Sequence, residues 1–237
     1  MEMATVAQTQ PGTVKIDGRK RRWHQHKVDR RNELVDGTLE AIRTRGRDVS
    51  MDEIAAEIGV SKTVLYRYFV DKNDLTTAVM MRFAQTTLIP NMAAALSAKS
   101  DGFELTREII RVYVETVAAE PEIYPFVFAN SSAGKQKVVA DSERIIAGML
   151  AVVLRRRMHE AGMDTKGVEP WAYLIVGGVQ LATHSWMSHR RMSSDELIDY
   201  LTMLSWSALR GIVEVGGSLE TFINQPHPSP VVPPMLD

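Results

Sequence analysis

A chain of 237 residues, 45% of them hydrophobic and 24% charged, is long enough to bury one large core or two smaller ones and too apolar to be disordered throughout. It contains no cysteine, which excludes a disulfide scaffold, thiolate metal sites and thiol catalysis and fits a reducing, cytoplasmic setting, and its first residues, MEMATVAQTQ, lack the apolar stretch of a secretory signal. The formal net charge of −1 gives no hint of a polyanionic partner, yet between Lys15 and Arg31 eight Lys or Arg stand against two Asp, a local net charge of +6.

Residues 1–24 read as a basic, disordered arm. A first helix is predicted near His26 to Arg45, with Leu34, Leu39 and Ile42 facing inward and Gly46 as its stop. Ser50 and Glu53 form a capping box, so a second helix begins at Met51, buries Ile54, Ala55 and Ile58, and ends at Gly59. Ser61 caps a third that buries Val64 or Leu65 and Phe69 and turns Lys62, Thr63, Tyr66 and Arg67 outward. Asp71 starts a fourth, running to about Leu96 and bent where Pro90 removes a donor. A fifth follows over Phe103 to Ala119 and a short sixth, opened by Pro121, near Glu122 to Asn130. The seventh is long, about Gly134 to Ala161, with Val138, Ile145, Ile146, Met149 and Val153 at helical spacing.

Pro170 to His189 carries no Asp, Glu, Lys or Arg and is long enough to raise the question of a membrane span. Gln180, Thr183, His184 and Ser185 make it instead a helix buried on most sides in a soluble protein or dimer. A ninth helix, with Ser193 and Glu196 as its capping box, runs to Val215 and ends at Gly216-Gly217. No alternating strand pattern occurs, so the fold class is all-α with about nine helices. Five of the ten prolines lie between Pro226 and Pro234, which makes residues 217–237 an extended or disordered Pro-rich tail.

The two short helices across Gly59 form a helix-turn-helix, a pattern that many helical hairpins share. Val60-Ser61-Lys62, Leu65-Tyr66-Arg67-Tyr68-Phe69, Asp71-Lys72 and Leu75 make it more specific: from Val35 to Val79 the sequence resembles the DNA-binding signature of the TetR family of transcriptional regulators. The resemblance implies a DNA-binding head over residues 25–75 and a helical ligand-binding and dimerisation domain over 76–216. In a helix-turn-helix the first residues of the second helix approach base edges, so Ser61, Lys62 and Thr63 are candidates for base contact. Lysine donates to guanine O6 and N7, and threonine offers a hydroxyl or packs its methyl on thymine. Tyr66, Arg67, Tyr68 and Lys72 suit phosphates, although the Tyr68 ring has the alternative of packing in the head's core. Arg21 and Arg22 stand for the basic run, which either meets backbone and minor groove or is simply a solvated tail.

Beyond the head there is no HExxH, GxSxG or glycine-rich phosphate loop, and the histidines are scattered. No catalytic residue, metal site or cofactor is expected, and the chain reads as a non-enzyme. The apolar inventory of the middle helices marks a region for a ligand: Tyr113, Val117, Tyr124, Phe126, Val127 and Phe128 from the fifth and sixth, and Met149, Val153, Trp171, Leu174, Ile175 and Leu181 from the seventh and eighth. Asn130, Gln180 and His184 can orient a polar headgroup there or serve as satisfied buried polar groups. Arg155-Arg156-Arg157 reads either as an anchor for an anionic ligand or as cations favoured at a helix C-terminus. Gly177-Gly178 in mid-helix points to close helix approach. The resemblance implies that the last two large helices pair with their copies in a homodimer, which places Val179, Thr183, Met187, Leu201, Leu204, Trp206 and Leu209 at or near that interface. Two heads on a two-fold axis then meet a near-palindromic operator with half-sites ~34–36 Å apart. Similarity to the lipid-metabolism regulators of actinobacteria further implies a small hydrophobic effector such as a long-chain fatty acid or acyl-CoA. The function expected is a ligand-responsive repressor; the alternative is a DNA-binding architectural or partner-docking protein with no small-molecule effector.

Overall fold

The computed structural model describes residues 18–98, 100–128 and 133–227, and among these every regular element is helical. Helix α1 (Gly18–Arg45) packs against α2 (Met51–Glu57), α2 against α3 (Lys62–Tyr68), and α4 (Lys72–Phe83), also packed on α1, leads out of this head. A π-helical turn (Ala84–Leu88) joins α4 to α5 (Ile89–Ser97), after which come α6 (Gly102–Ala118), α7 (Ile123–Phe128), α8 (Ala133–Glu160), α9 (Val168–His189), α10 (Ser194–Glu214) and α11 (Leu219–Asn224). The nine expected helices all have counterparts; α11 is additional.

The local signals act as the sequence chemistry requires. Ser50 accepts from the Glu53 amide while Glu53 reaches back to the Ser50 amide, and Ser193 and Glu196 repeat this box at the head of α10. Gly59 has φ +69, the left-handed conformation that lets the chain reverse between α2 and α3. Across the same turn Gly37 of α1 faces Ile58 so closely that a Cβ there would lie 2.7 Å from Ile58 Cγ2, so α1 and α2 approach through the glycine. Ser61 departs from expectation. It takes the N-cap position of α3, but its side chain makes no capping bond, and the hydroxyl stays exposed.

Two boundaries also shift. Residues 18–24 are helical backbone, so the arm expected over 1–24 gives way to helix from Gly18. In the expected Pro-rich tail, Ser218 caps the short α11 by accepting from the Thr221 amide. Pro90 acts through register more than bending. Its ring would collide with the carbonyl of Thr86 in a regular helix, and the wide π turn falls on the residues just before it.

The head's core gathers Leu34, Val35, Leu39 and Ile42 of α1, Ile54 of α2, Leu65 of α3, Phe69, and Leu75 and Val79 of α4. Three residues from the body join the same cluster: Ile123 and Phe126 of α7 and Val138 of α8. In the body, α8 lies along α9, and α6 lies between α5 and α10. Leu105, Ile110, Tyr113, Val114 and Val117 form the buried stripe of α6 at the three-to-four-residue period of a one-sided helix.

Leu65 is fully buried at the centre of the head. Leu65→Ala is expected to lower unfolding free energy by about 2–5 kcal/mol, measured by denaturant titration, whereas Val70→Ala, at an 84% exposed position, should stay within about 0.5 kcal/mol.

Candidate functional site

The outward face of α3 is built by burying the inward one. With Leu65 and Phe69 in the core, Lys62, Thr63, Tyr66 and Arg67 stand in solvent, and Ser61 opens the helix beside them. Lys62 Nζ lies 2.8 Å from an Asp52 carboxylate oxygen on α2 and 5.9 Å from the Tyr66 ring centroid; the hydrogen bond to Asp52 raises its pKa above the ordinary lysine value. Tyr68 is half-buried and packs against the head's core, so the core alternative holds for most of its ring. Lys72, in the first turn of α4, is half-buried, and its ammonium sits 5.5 Å above the Phe126 ring of α7. Arg22 is exposed at the start of α1; the Arg21 side chain lies outside the described residues.

Arg31 is a head residue that the sequence reading missed. It pairs with Asp74 at 3.0 Å and stacks over Phe69 at 4.7 Å, tying α1 to both α3 and α4. Arg82 of α4 grips Asp36 of α1 through two bonds, 2.7 and 2.8 Å. A second joint runs through the corner between α6 and α7. Arg43 of α1 holds the Glu120 carboxylate with its Nε and Nη2 donors, and the Arg47 amide donates to Glu122 at 3.0 Å. Two acids beside Pro121 gave no distinctive sequence signal, because their partners lie 75 and 77 residues away.

Among the described residues, two of the cavities in the body bear on the expected lining residues. The inner one, about 50 Å³, is bounded by Phe83 and Leu88 on the helix leaving the head, Tyr113 and Val117 of α6, Tyr124 of α7, and Glu143 and Gln180 across from them. Its polar side is a linked set. Tyr113 hydrogen-bonds with Tyr124, whose phenol is pushed up to about 12 mainly by burial, and the Tyr113 phenol is raised further by deeper burial. Burial also raises the Glu143 carboxyl above its ordinary value, opposed by a hydrogen bond from Gln180. Gln180 Oε1 is buried without a hydrogen-bond partner. His184 lies beside this set, its ring 5.8 Å from that of Tyr124. Glu143 was also missed, although it interrupts the apolar stripe of α8 between Val139 and Ile146.

The larger cavity, about 290 Å³, lies at the far end from the head between α6, α8, α9 and α10, with walls that include Ile109, Leu150, Val153, Ile175, Trp206 and Ile212. Of the expected lining residues, Tyr113, Val117, Tyr124 and Gln180 face the inner cavity, and Val153, Trp171 and Ile175 the larger one, while Met149 packs against buried apolar residues of the body and lines neither. Three expectations fail. Phe126 belongs to the head's core, and Leu174 and Leu181, 73% and 70% exposed, point away from both cavities on the outer side of α9. Asn130 and the Val127 and Phe128 side chains lie outside the described residues.

Burial divides the residues expected at the pairing surface. Val179 and Thr183 are buried inward, Thr183 bonding the Val179 carbonyl, and Trp206 packs edge-on against Phe103. Of the expected residues Leu204 is exposed, and the exposed apolar residues near it are Leu174, Gly178 and Leu181 of α9 with Tyr200 and Met203 of α10. Among the described residues no helix is long and apolar enough to cross a membrane.

Residues 34–79 match the family model described as bacterial regulatory proteins, tetR family, and residues 91–218 match that of a tetracyclin repressor-like C-terminal domain. An HTH-type transcriptional regulator of Mycobacterium tuberculosis (strain H37Rv) is 86% identical over 221 residues, 93% of this chain and 94% of that protein. The HTH-type transcriptional activator FasR of Mycolicibacterium smegmatis is 23% identical over 213 residues, 88% and 95% of the two chains. Among solved structures, a TetR-family transcriptional regulator from Mesorhizobium loti superposes with a TM-score of 0.62 at 18% identity, covering 78% of this chain and 97% of its own. The fatty acid degradation regulator FadR from Bacillus halodurans does so with a TM-score of 0.57 at 15% identity, covering 74% and 93%.

The Glu143 carboxyl is raised in the folded protein, so its protonated form is the favoured one there. Its contribution is fully present below the ordinary carboxyl value of 4.5 and lost as pH rises through the folded value. Glu143→Gln should therefore raise Tm at pH 7, by an amount that shrinks toward zero below about pH 4.5, in paired thermal melts.

Proposed function

The chain belongs to the TetR family of bacterial regulatory proteins and is a DNA-binding transcriptional regulator, not an enzyme; we propose that it acts in the cytoplasm as a homodimeric, ligand-responsive repressor of a near-palindromic operator. The observation that carries this reading is the division of α3 into a buried inner side and an exposed outer side beginning at its N-terminus. A helix held so rigidly presents Ser61, Lys62 and Thr63 to base edges, with Tyr66, Arg67, Lys72 and the exposed part of Tyr68 directed at phosphates. The basic turns of α1 extend the same positive surface toward the backbone. Bound across a promoter, such a dimer blocks the duplex by occupancy.

Dimerisation is supported by the apolar outer side of α9 and α10, where Gly177 and Gly178 leave open space for a second backbone. An effector is supported by the larger cavity, whose volume approaches that of small-molecule sites, and this weighs against a solid body that only docks partners. Its apolar walls suit a hydrophobic effector. The names of FasR and of the fatty acid degradation regulator FadR favour a long-chain fatty acid or acyl-CoA within that class.

Lys62→Ala and Thr63→Ala are expected to weaken operator binding by about 1–3 kcal/mol each and to relax preference at one base pair, read by fluorescence anisotropy on point-mutated duplexes. Replacing Arg22 and Lys27 with glutamine should instead weaken all sequences alike and flatten the slope of log K against log salt by about one to two. Leu181→Arg, on the outer side of α9, should give monomers by sedimentation and abolish the two-half-site footprint; dimers with an intact footprint would reject the pairing surface.

A further inference from the structure

The larger cavity contains one charged lining residue, and that residue stands at its edge. Arg157 of α8, with Ala161, borders both the apolar cavity and an open polar groove of about 790 Å³ that runs past Ser97, Ser100, Asp101, Arg156 and Glu160. The two spaces therefore adjoin across a guanidinium. Arg157 is half-buried and donates from Nη2 to the Ser100 carbonyl at 2.9 Å, a bond to a neutral acceptor that uses one of its five donors. Beside it the Ser100 hydroxyl is buried with no hydrogen-bond partner, the kind of orphaned donor that native interiors rarely tolerate without a purpose.

We propose that this cavity seats the aliphatic chain of an acyl ligand whose anionic headgroup lies in the adjoining groove, held by Arg157 and the Ser100 hydroxyl. The proposal rests on the acyl effector suggested above and adds where such a molecule sits and which way it points. An alkyl chain gains from leaving water for walls such as Leu154, Ile175 and Ile212. A carboxylate or phosphate at the boundary completes the guanidinium's fork and gives the Ser100 hydroxyl an acceptor. The rim charges allow it. Asp101 accepts from the Glu104 amide at the start of α6, Glu160 is exposed, and Arg156 adds a second guanidinium to the groove.

The location carries a consequence for signalling. Trp206, Leu209 and Ile212 form the α10 wall of the cavity, and Tyr200, Met203 and Leu204 lie on the outer side of the same helix. Trp206 presses so closely on α6 that a Cβ at Gly102 would come within 3.1 Å of its ring. A chain seated between α6 and α10 lies against that contact, and α10 joins it to the pairing surface.

The test uses the full chain and three probes: palmitoyl-CoA, palmitate and coenzyme A alone. Two of the four tryptophans, Trp171 and Trp206, line the cavity, so intrinsic fluorescence reports occupancy, and operator release is followed in parallel. Both acyl probes should bind and coenzyme A alone should not. Leu154→Trp, which fills the cavity, should weaken both acyl probes at least about tenfold. The double variant Arg156→Gln with Arg157→Gln lies toward the surface and tests the headgroup independently: palmitate should weaken about tenfold while uncharged hexadecanol is unaffected. Ligand-free operator affinity and Tm check that each variant is folded. Palmitoyl-CoA binding unchanged in a folded Leu154→Trp protein, or palmitate binding unchanged in the arginine variant, overturns this site and leaves an acyl effector standing. Failure of every acyl probe on the wild-type chain overturns both.

Discussion

The apolar seam where α7 enters the head's core fixes how this protein holds its DNA-binding head and its helical body together. Ile123 and Phe126 are buried among residues of α1 and α4, so the head is not a separately packed unit on a flexible stalk. Full burial of such side chains is worth about 1.5–3 kcal/mol each. The surrounding ion pairs, Arg43 with Glu120 and Arg31 with Asp74, are partly exposed and of the class worth about 0–1 kcal/mol. The seam therefore sets the angle of the head, and the ion pairs refine it.

This constraint gives the head two mechanical inputs. One is the helix from Lys72 to Ser97, whose π turn forms part of the inner cavity's wall at Ala84 and Leu88. A wide turn at that point lets the upper segment shift without breaking the helix below it. The other is α7, six residues long, in which Tyr124 faces the inner cavity while Ile123 and Phe126 sit in the head. Movement of the Tyr124 ring cannot leave its neighbours in place, and the Lys72 ammonium over Phe126 links the two inputs at the head itself.

What the sequence made legible follows from how local its signals were. The capping boxes at Ser50 and Ser193, the reversal at Gly59 and the stripe on α6 each lie within a few residues of one another, so short-range chemistry decides them. The rotation of α9 does not. Apolar residues occur on all its sides, so no periodicity separates Val179, which is buried, from Leu174 and Leu181, which face out; Thr183 looks polar yet is buried because its hydroxyl bonds the carbonyl one turn back. The same limit hid the partnership of Arg157 with Ser100, 57 residues apart, and of Glu143 with Gln180 on the next helix. The basic run departs from expectation at residues 18–24, whose backbone is helical and continuous with the rest of α1.

The pairing of Lys62 with Asp52 bears on how the head discriminates. In the free protein the ammonium is held 2.8 Å from a carboxylate that is itself exposed, so the pair costs little to open and yet restricts where the lysine rests. On the proposed reading of α3, a guanine edge must replace that carboxylate, and a site offering only donors at the same place leaves Lys62 without an acceptor and Asp52 as its better partner. A phosphate too near Asp52 is disfavoured by like charge. The acid on the first helix of the motif thus sharpens a contact made by the second, through competition for one cation and without touching DNA itself.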